Sequence, residues 1–301
     1  MTIHVVKAGE TLYSIAQNYG VPISLLAADN GLSQPYALVE GQTLVVLYPS
    51  VVHTVAEGET IYDIARNYGK SVMELYRNNY ILGGNPEIYP GQTLVIEYTL
   101  REPKTNLITN GYAYPNINES VLRTALVYMT YVAPFTYGMT EDGGLISPED
   151  SYIISIAQQY GVSPLMHLST LTESGNFSNE LASVILNDRN LWEVLGNNIL
   201  NTMREKGYEG LDIDFEFVYP DESGLYAEFV SFMTSKLNPY GYRVIVALAP
   251  KTSADQTGAL YEGHDYAALG AAANFAFVMA ISSLLYKSSK FCFISSIFSL
   301  V

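Results

Sequence analysis

The chain has 301 residues, 49% hydrophobic and 15% charged, and its 30 Asp and Glu against 15 Lys and Arg leave a formal net charge of −15. That composition is globular, the length allows two or more domains, and the acidity argues against nucleic acid or an anionic membrane surface as partner. The single cysteine, Cys292, excludes an intramolecular disulfide and a Cys-rich metal site. No run reaches the roughly 18 apolar residues of a membrane span, and no basic stretch leading into an apolar one marks a secretory signal.

The N-terminal third repeats itself. His4-Val5-Val6-Lys7-Ala8-Gly9-Glu10-Thr11-Leu12-Tyr13-Ser14-Ile15-Ala16 recurs, offset by 49 residues, as His53-Thr54-Val55-Ala56-Glu57-Gly58-Glu59-Thr60-Ile61-Tyr62-Asp63-Ile64-Ala65. The ends of the units match as well, Glu40-Gly41-Gln42-Thr43-Leu44 against Pro90-Gly91-Gln92-Thr93-Leu94. Each unit reads as strand, helix, helix, strand. Thr11 and Thr60 stand where a helix N-cap belongs, and Asp63 completes a capping box in the second copy. Leu12, Ile15, Ala16 and Tyr19 follow helical spacing, as do Ile61, Ile64, Ala65 and Tyr68. Gly20 and Gly69 supply the left-handed residue that ends each helix. Second helices follow at Ile23 to Ala28 and Val72 to Asn78.

The repeat resembles the LysM domain, a βααβ module that binds N-acetylglucosamine-containing glycans. The resemblance implies a shallow groove with Gly9, Glu10, Thr11, Gly58, Glu59 and Thr60 along one side, and Asn30 and Asn79 near the other. Turn chemistry and capping account for the same glycines and threonines, and both readings stand. Two weak sites in tandem gain effective concentration on a polymeric glycan.

After Thr99 the repeat stops, and Arg101-Glu102-Pro103-Lys104-Thr105 marks a boundary. Strand patterns at Leu107–Tyr114, Leu126–Phe135, Leu165–Leu171, Gly210–Phe217, Val244–Ala249 and Phe275–Ala280 alternate with helix patterns at Pro148–Tyr160, Asn179–Leu186, Arg189–Lys206, Gly224–Asn238 and Tyr266–Ala272. Such βα alternation points to a (β/α) barrel, or to a doubly wound sheet. Along Gly210-Leu211-Asp212-Ile213-Asp214-Phe215-Glu216-Phe217 the residues alternate, so Asp212, Asp214 and Glu216 share a face opposite Leu211, Ile213, Phe215 and Phe217. Three carboxylates on one inward face repel one another, and at least one should keep its proton near neutral pH. A protonated carboxyl beside an ionised one suits acid catalysis of glycoside cleavage. A half-exposed strand with a solvated acidic face has the same alternation.

With Glu209 ahead of it, the segment resembles the Asp-x-x-Asp-x-Asp-x-Glu signature of glycoside hydrolase family 18, Glu209 replacing the first Asp. Phe135-Thr136-Tyr137-Gly138-Met139-Thr140-Glu141-Asp142-Gly143-Gly144-Leu145, Ala249-Pro250-Lys251-Thr252-Ser253-Ala254-Asp255-Gln256 and His264-Asp265-Tyr266 resemble one branch of that family, the LysM-bearing spore cortex-lytic N-acetylglucosaminidases. The resemblance implies Glu216 as general acid and then base, Asp214 as the group orienting the substrate's N-acetyl arm, and Asp212 as its tuner. It implies no protein nucleophile and no metal or organic cofactor. The implied partner is peptidoglycan or another N-acetylglucosamine polymer, met in the coat and cortex region of the spore. Tyr112 and Tyr137, near strand ends, are candidates to stack on sugar rings. His4 and His53 read as structural repeat residues, His167 as a hydrogen-bonded core residue, and His264 as a loop stabiliser.

The expected architecture is therefore α/β and α+β multidomain: LysM modules at 2–48 and 51–98, then an incomplete (β/α)8 barrel at 104–301 that diverges from about residue 280. Only six strand patterns can be read, and Ile281 stands where the family's sixth strand carries a tyrosine. The last twenty residues, Ser282 to Val301, match nothing. Truncation explains that tail better than an anchor or a partner-binding segment, and it would leave two strand edges bare. Three functions follow: an active N-acetylglucosaminidase, a glycan-binding protein with a silent barrel, and a structural spore-coat component.

Overall fold

The structure is a computed structural model. It describes residues 1–99, 108–253 and 255–279, and the backbone alone of 291–294 and 297–298. The chain divides into two compact units, Met1–Thr105 and Asn106–Val301.

The first unit holds both repeats. β1 (Thr2–Val5), α1 (Leu12–Tyr19), α2 (Ile23–Asp29) and β2 (Thr43–Val46) form one copy. β3 (Pro49–Thr54), α3 (Ile61–Asn67), α4 (Val72–Asn78) and β4 (Thr93–Tyr98) form the other. The strands of each copy pair antiparallel. Leu12, Ile15 and Ala16 of α1 are buried, as are Ile61, Ile64 and Ala65 of α3, so the helical spacing marks the packed stripe. Thr11 and Thr60 cap as expected, and Gly20 and Gly69 take φ of +66° and +63°. The reciprocal capping box falls elsewhere: it joins Thr11 to Ser14 and Ser71 to Glu74. Asp63 turns its carboxylate instead to the Thr60 hydroxyl and to Arg66.

In the second unit six strands run parallel in the order β5 (Asn110–Ala113), β6 (Tyr131–Pro134), β9 (Ser163–Ser169), β10 (Gly210–Asp214), β11 (Arg243–Leu248) and β12 (Phe275–Val278). A small hairpin, β7 (Gly138–Met139) with β8 (Leu145–Ile146), follows β6. The helices are α5 (Glu119–Leu126), α6 (Ser151–Gln159), α7 (Asn179–Asn187), α8 (Arg189–Lys206), α9 (Ser223–Leu237) and α10 (Tyr266–Ala272). The sheet is a half-barrel with two different faces. Leu211, Ile213, Phe215, Val244 and Val246 join Trp192, Leu195, Ile199 and Met203 of α8 and Phe229 and Met233 of α9 in the outer core. On the other face Tyr112, Ala133, Leu165, Ile245, Ala247 and Phe277 form a smaller cluster. This second face is the one that carries chemistry.

α8 shows how the sequence builds such an element. The Asp188 side chain accepts from Asn190 N at its start, Gly207 at φ +77° closes it, and the buried face between recurs at helical spacing. α5, by contrast, has no counterpart among the expected helices, and its last residue, Leu126, opens the apolar run expected as a strand to Phe135. Asn118 caps it, Leu122, Ala125 and Leu126 face the core, and the strand begins only at Tyr131. Hydropathy cannot show where a buried helix ends and a buried strand begins. The sheet edges also differ from expectation. The backbone of β13 (Phe291–Ile294) pairs antiparallel with β5, and that of β14 (Ile297–Phe298) with β12. Bare edges present unpaired N–H and C=O groups, which these short strands meet. Ile281 and the Arg101–Thr105 connection lie outside the described residues.

Candidate active site

β10 ends at Asp214, and the strand's alternation fixes where the acids go. Its apolar set is clamped from outside: Phe215 stacks on Tyr226 at 5.4 Å with 4° between planes, and on Phe229 at 5.4 Å. Asp212 and Asp214 therefore turn inward, with 0% and 4% exposure. Glu216 lies two residues past the strand's end, half-buried at the C-terminal mouth of the half-barrel. The backbone beneath it is pinned. His264 Nε2 donates to the Phe215 carbonyl at 2.8 Å, and Lys251 Nζ donates to the His264 carbonyl at 2.8 Å. Gly263 packs so closely on the Val218 carbonyl that a Cβ would collide with it. Glu209, the departure from the signature, is exposed at the strand's other end and accepts from Ser163 Oγ.

Burial is the first cause of the carboxyl shifts. It pushes Asp212 up to about 6, the Asp214 charge acting in the same direction and His167 against it. Glu216 is raised too, by burial and then by Asp214, with His167 again opposing. Mutual repulsion is thus real but secondary. Asn110 Nδ2 donates weakly to Asp212 Oδ2 at 3.4 Å. Asp212 Oδ1, Asn110 Oδ1 and the Tyr112 hydroxyl are buried without a hydrogen-bond partner. The Tyr112 hydroxyl is a donor that faces Asp212, and a protonated Asp212 would add a second donor for the Asn110 oxygen. Tyr112 belongs to the site: burial and then Asp212 raise its phenol well above the ordinary value, and its ring stands edge-on to His167 at 4.5 Å.

Sequence reasoning left His167 in the core and missed its partners. It is fully buried on β9, beside Asp212 in the parallel register, with Nε2 3.2 Å from Asp214 Oδ2 and Nδ1 2.6 Å from Thr136 Oγ1. The aromatic rim was missed as well. Phe135 packs on His167 at 5.1 Å, on Tyr114 at 5.0 Å and on Phe177 at 6.3 Å, and the last two are exposed. For Tyr114 and Phe135 the position just beyond a strand end was the available signal; Phe177, well past β9, had none.

Several expected ligand residues have other work. Tyr137 is fully buried and faces the outer core, where its hydroxyl and that of Tyr208 each donate to Asp150 at 2.6 Å and Lys206 Nζ donates to the same carboxylate at 2.8 Å. Asn30 Nδ2 donates to the Leu26 and Val45 carbonyls, and its Oδ1 accepts from Val45 N at 2.7 Å. Asn79 repeats this with Leu75 and Val95. Both donors and one acceptor site of each amide are used inside the module, so they tie a helix to a strand. Glu10 accepts from Lys7 N and His4, and Glu59 from Ala56 N and His53, which lowers both carboxyls. Gly9 and Gly58, at φ +80° and +82°, make the turn that the side chain of each Glu closes. In the second copy Ile81, Leu82, Asn85, Glu87, Tyr89 and Gln92 line a hollow before β4, with Ile81 and Tyr89 exposed. Among the described residues no group of three or more His, Cys, Asp or Glu is arranged to hold a metal ion, and no helix is long and apolar enough to cross a membrane.

The LysM domain model matches residues 4–47 and 53–97. The cortical fragment-lytic enzyme of Bacillus subtilis (strain 168) is 32% identical over 285 residues, 93% of this chain and 65% of the relative. The crystal structure of the Bacillus megaterium QM B1551 spore cortex-lytic enzyme SleL superposes with a TM-score of 0.70 at 32% identity, covering 93% of this chain and 66% of that one. The chain carries two LysM domains and is similar along most of its length to these cortex-lytic enzymes. It also resembles a class V chitinase from Pseudomonas fluorescens Pf-5, with a TM-score of 0.54 at 27% identity over 58% of this chain and 54% of that structure. The chain thus spans 65% of the length of the B. subtilis homologue.

Proposed function

We propose that the chain hydrolyses N-acetylglucosamine-containing bonds in spore cortex peptidoglycan, with its LysM modules (2–48 and 51–98) holding the glycan for the barrel region at 104–301. The observation that carries this reading is Glu216: a half-buried carboxyl with a raised pKa at the mouth of the half-barrel, above Asp214 and Asp212 on one strand face. A carboxyl that keeps its proton toward neutral pH can give it to a glycosidic oxygen. The C1–O bond then breaks as the substrate's acetamido oxygen bonds to C1, giving a cyclic cation that Asp214 steadies. Glu216, now the base, takes a proton from water as the water oxygen attacks C1 and the acetamido oxygen leaves, so configuration is retained. Tyr112 lies within the site, and Tyr114, Phe135 and Phe177 give a sugar ring apolar faces to lie on. The six parallel strands correspond to part of an eight-stranded barrel.

A second reading is glycan binding without turnover, which the two matches to the LysM domain at 4–47 and 53–97 favour. Release of reducing ends from solubilised cortex peptidoglycan, measured for the chain and for Glu216→Gln, separates the two. Turnover that Glu216→Gln abolishes supports hydrolysis. Turnover that survives the substitution removes Glu216 as the acid. Glycan retention with no turnover by either protein supports the binder.

A further inference from the structure

We propose that His167 is a positioning residue for Asp214, aimed by Thr136. This rests on the reading of Asp214 and Glu216 just given. A carboxylate only accepts, so the contact at 3.2 Å requires a proton on Nε2 of His167. The other nitrogen meets the Thr136 hydroxyl at 2.6 Å, and that hydroxyl serves either state of the ring. It donates to Nδ1 when the imidazole is neutral. When the imidazole is charged it accepts, and its own hydrogen turns to the Tyr137 or His167 carbonyl, 3.2 and 3.3 Å away. The Nε2–H thus stays directed at Asp214 whatever the ring's charge. Tyr112 at 4.5 Å and Phe135 at 5.1 Å pack against the ring on adjacent sides.

A hydroxyl, an imidazole and a carboxylate in line have the layout of a nucleophilic triad, and burial decides against that use. Thr136 is 6% exposed, with Ser169 Oγ at 3.0 Å from its hydroxyl, so no substrate carbonyl can reach it. The chain of contacts runs the other way, from a fixed hydroxyl to a carboxylate at the reacting face. It engages one oxygen of Asp214 and leaves the second for the substrate's acetamido N–H. The titratable groups facing His167 are Tyr112 from β5, Asp212 and Asp214 from β10, and Glu216 beyond it. The segment after β6 adds no titratable side chain there, only the Thr136 hydroxyl, the Phe135 ring and the Tyr137 backbone. Positive charge on His167 lowers the pKa of both Asp212 and Glu216, so its removal raises both.

Imidazole 15N spectra of the whole chain test the pairing without reference to turnover. The chain has four His, and the signal absent from His167→Gln identifies the ring. The expected ring carries its proton on Nε2, and its resonances move on Asp214→Asn. A ring deprotonated at Nε2, or indifferent to Asp214→Asn, overturns the proposal. With an active parent, His167→Leu should lower kcat about 100-fold, the scale of a misplaced reacting group, with KM nearly unchanged. His167→Gln, which keeps a donor for Asp214, should recover most of that loss. In both variants the basic limb of the pH–rate profile should move to higher pH, a shift that loss of packing alone does not cause. An unmoved limb, or no rescue by Gln, overturns the role. A parent without turnover sinks the hydrolytic reading instead and leaves the spectra to decide the pairing.

Discussion

Asp212→Asn should make the protein more stable and less active at once. The carboxyl is fully buried, and its pKa stands at about 6 against an ordinary 3.8. Below pH 3.8 both the folded and unfolded chains hold the proton, and nothing is lost. Between 3.8 and about 6 the unfolded chain releases it first, so stability falls as pH rises. Above about 6 the whole cost is present, roughly two pH units at about 1.4 kcal/mol each, or about 3 kcal/mol. Asparagine never ionises. Its oxygen can still accept from Asn110 Nδ2, and its amide can supply the donor that Asn110 Oδ1 lacks. Urea denaturation of parent and variant at pH 3.5 and 7.5 measures the gap. The expected result is near-identity at pH 3.5 and an advantage of about 3 kcal/mol for Asn at pH 7.5, with turnover reduced. A gap that is the same at both pH values, or absent at pH 7.5, would refute burial as the source of the shift.

Gly263→Ala drives a Cβ into the Val218 carbonyl and should cost about 3 kcal/mol, read as a lower melting temperature, together with loss of turnover as the Glu216 segment shifts. Tyr137→Phe removes one hydroxyl from Asp150 and should lower stability by about 1 kcal/mol with KM unchanged; a raised KM would restore Tyr137 as a ligand residue. Asn79→Ala strips the Val95 N–H and carbonyl of a buried partner and should cost about 2–4 kcal/mol. Hydrogen exchange should then show the second LysM opening alone, because a unit of about 50 residues has little stability to lose.

What could be read without coordinates was what lies close along the chain. The repeat, the Thr11 and Thr60 caps, the limits of α8 and α10, and the in-and-out alternation of β10 depend on neighbours a few residues away. Spacing reports such neighbours directly, since helix and strand periods are properties of the backbone. Partners far apart in sequence stayed hidden. Asn30 looked like a groove residue because nothing local shows that it meets Val45, fifteen residues on. Tyr137 stood next to a strand end, yet the chain runs it along β9 into the outer core, where Asp150 receives it.

The candidate site divides along the same line. Asp212, Asp214 and Glu216 could be chosen from alternation alone, because one strand carries all three. Whether they form a solvated acidic face or a buried acid group depended on what covers them, and the half-barrel answers with Tyr112, Phe135 and His167. The parallel register sets His167 opposite Asp212, and the segment after β6 brings Thr136 to its far side. The sequence by itself determined the repeat, the strand and the order of its acids, since these follow from local backbone geometry. Only the tertiary structure decided which carboxyls are raised and which imidazole faces them, because burial and the approach of charges are set where distant strands meet.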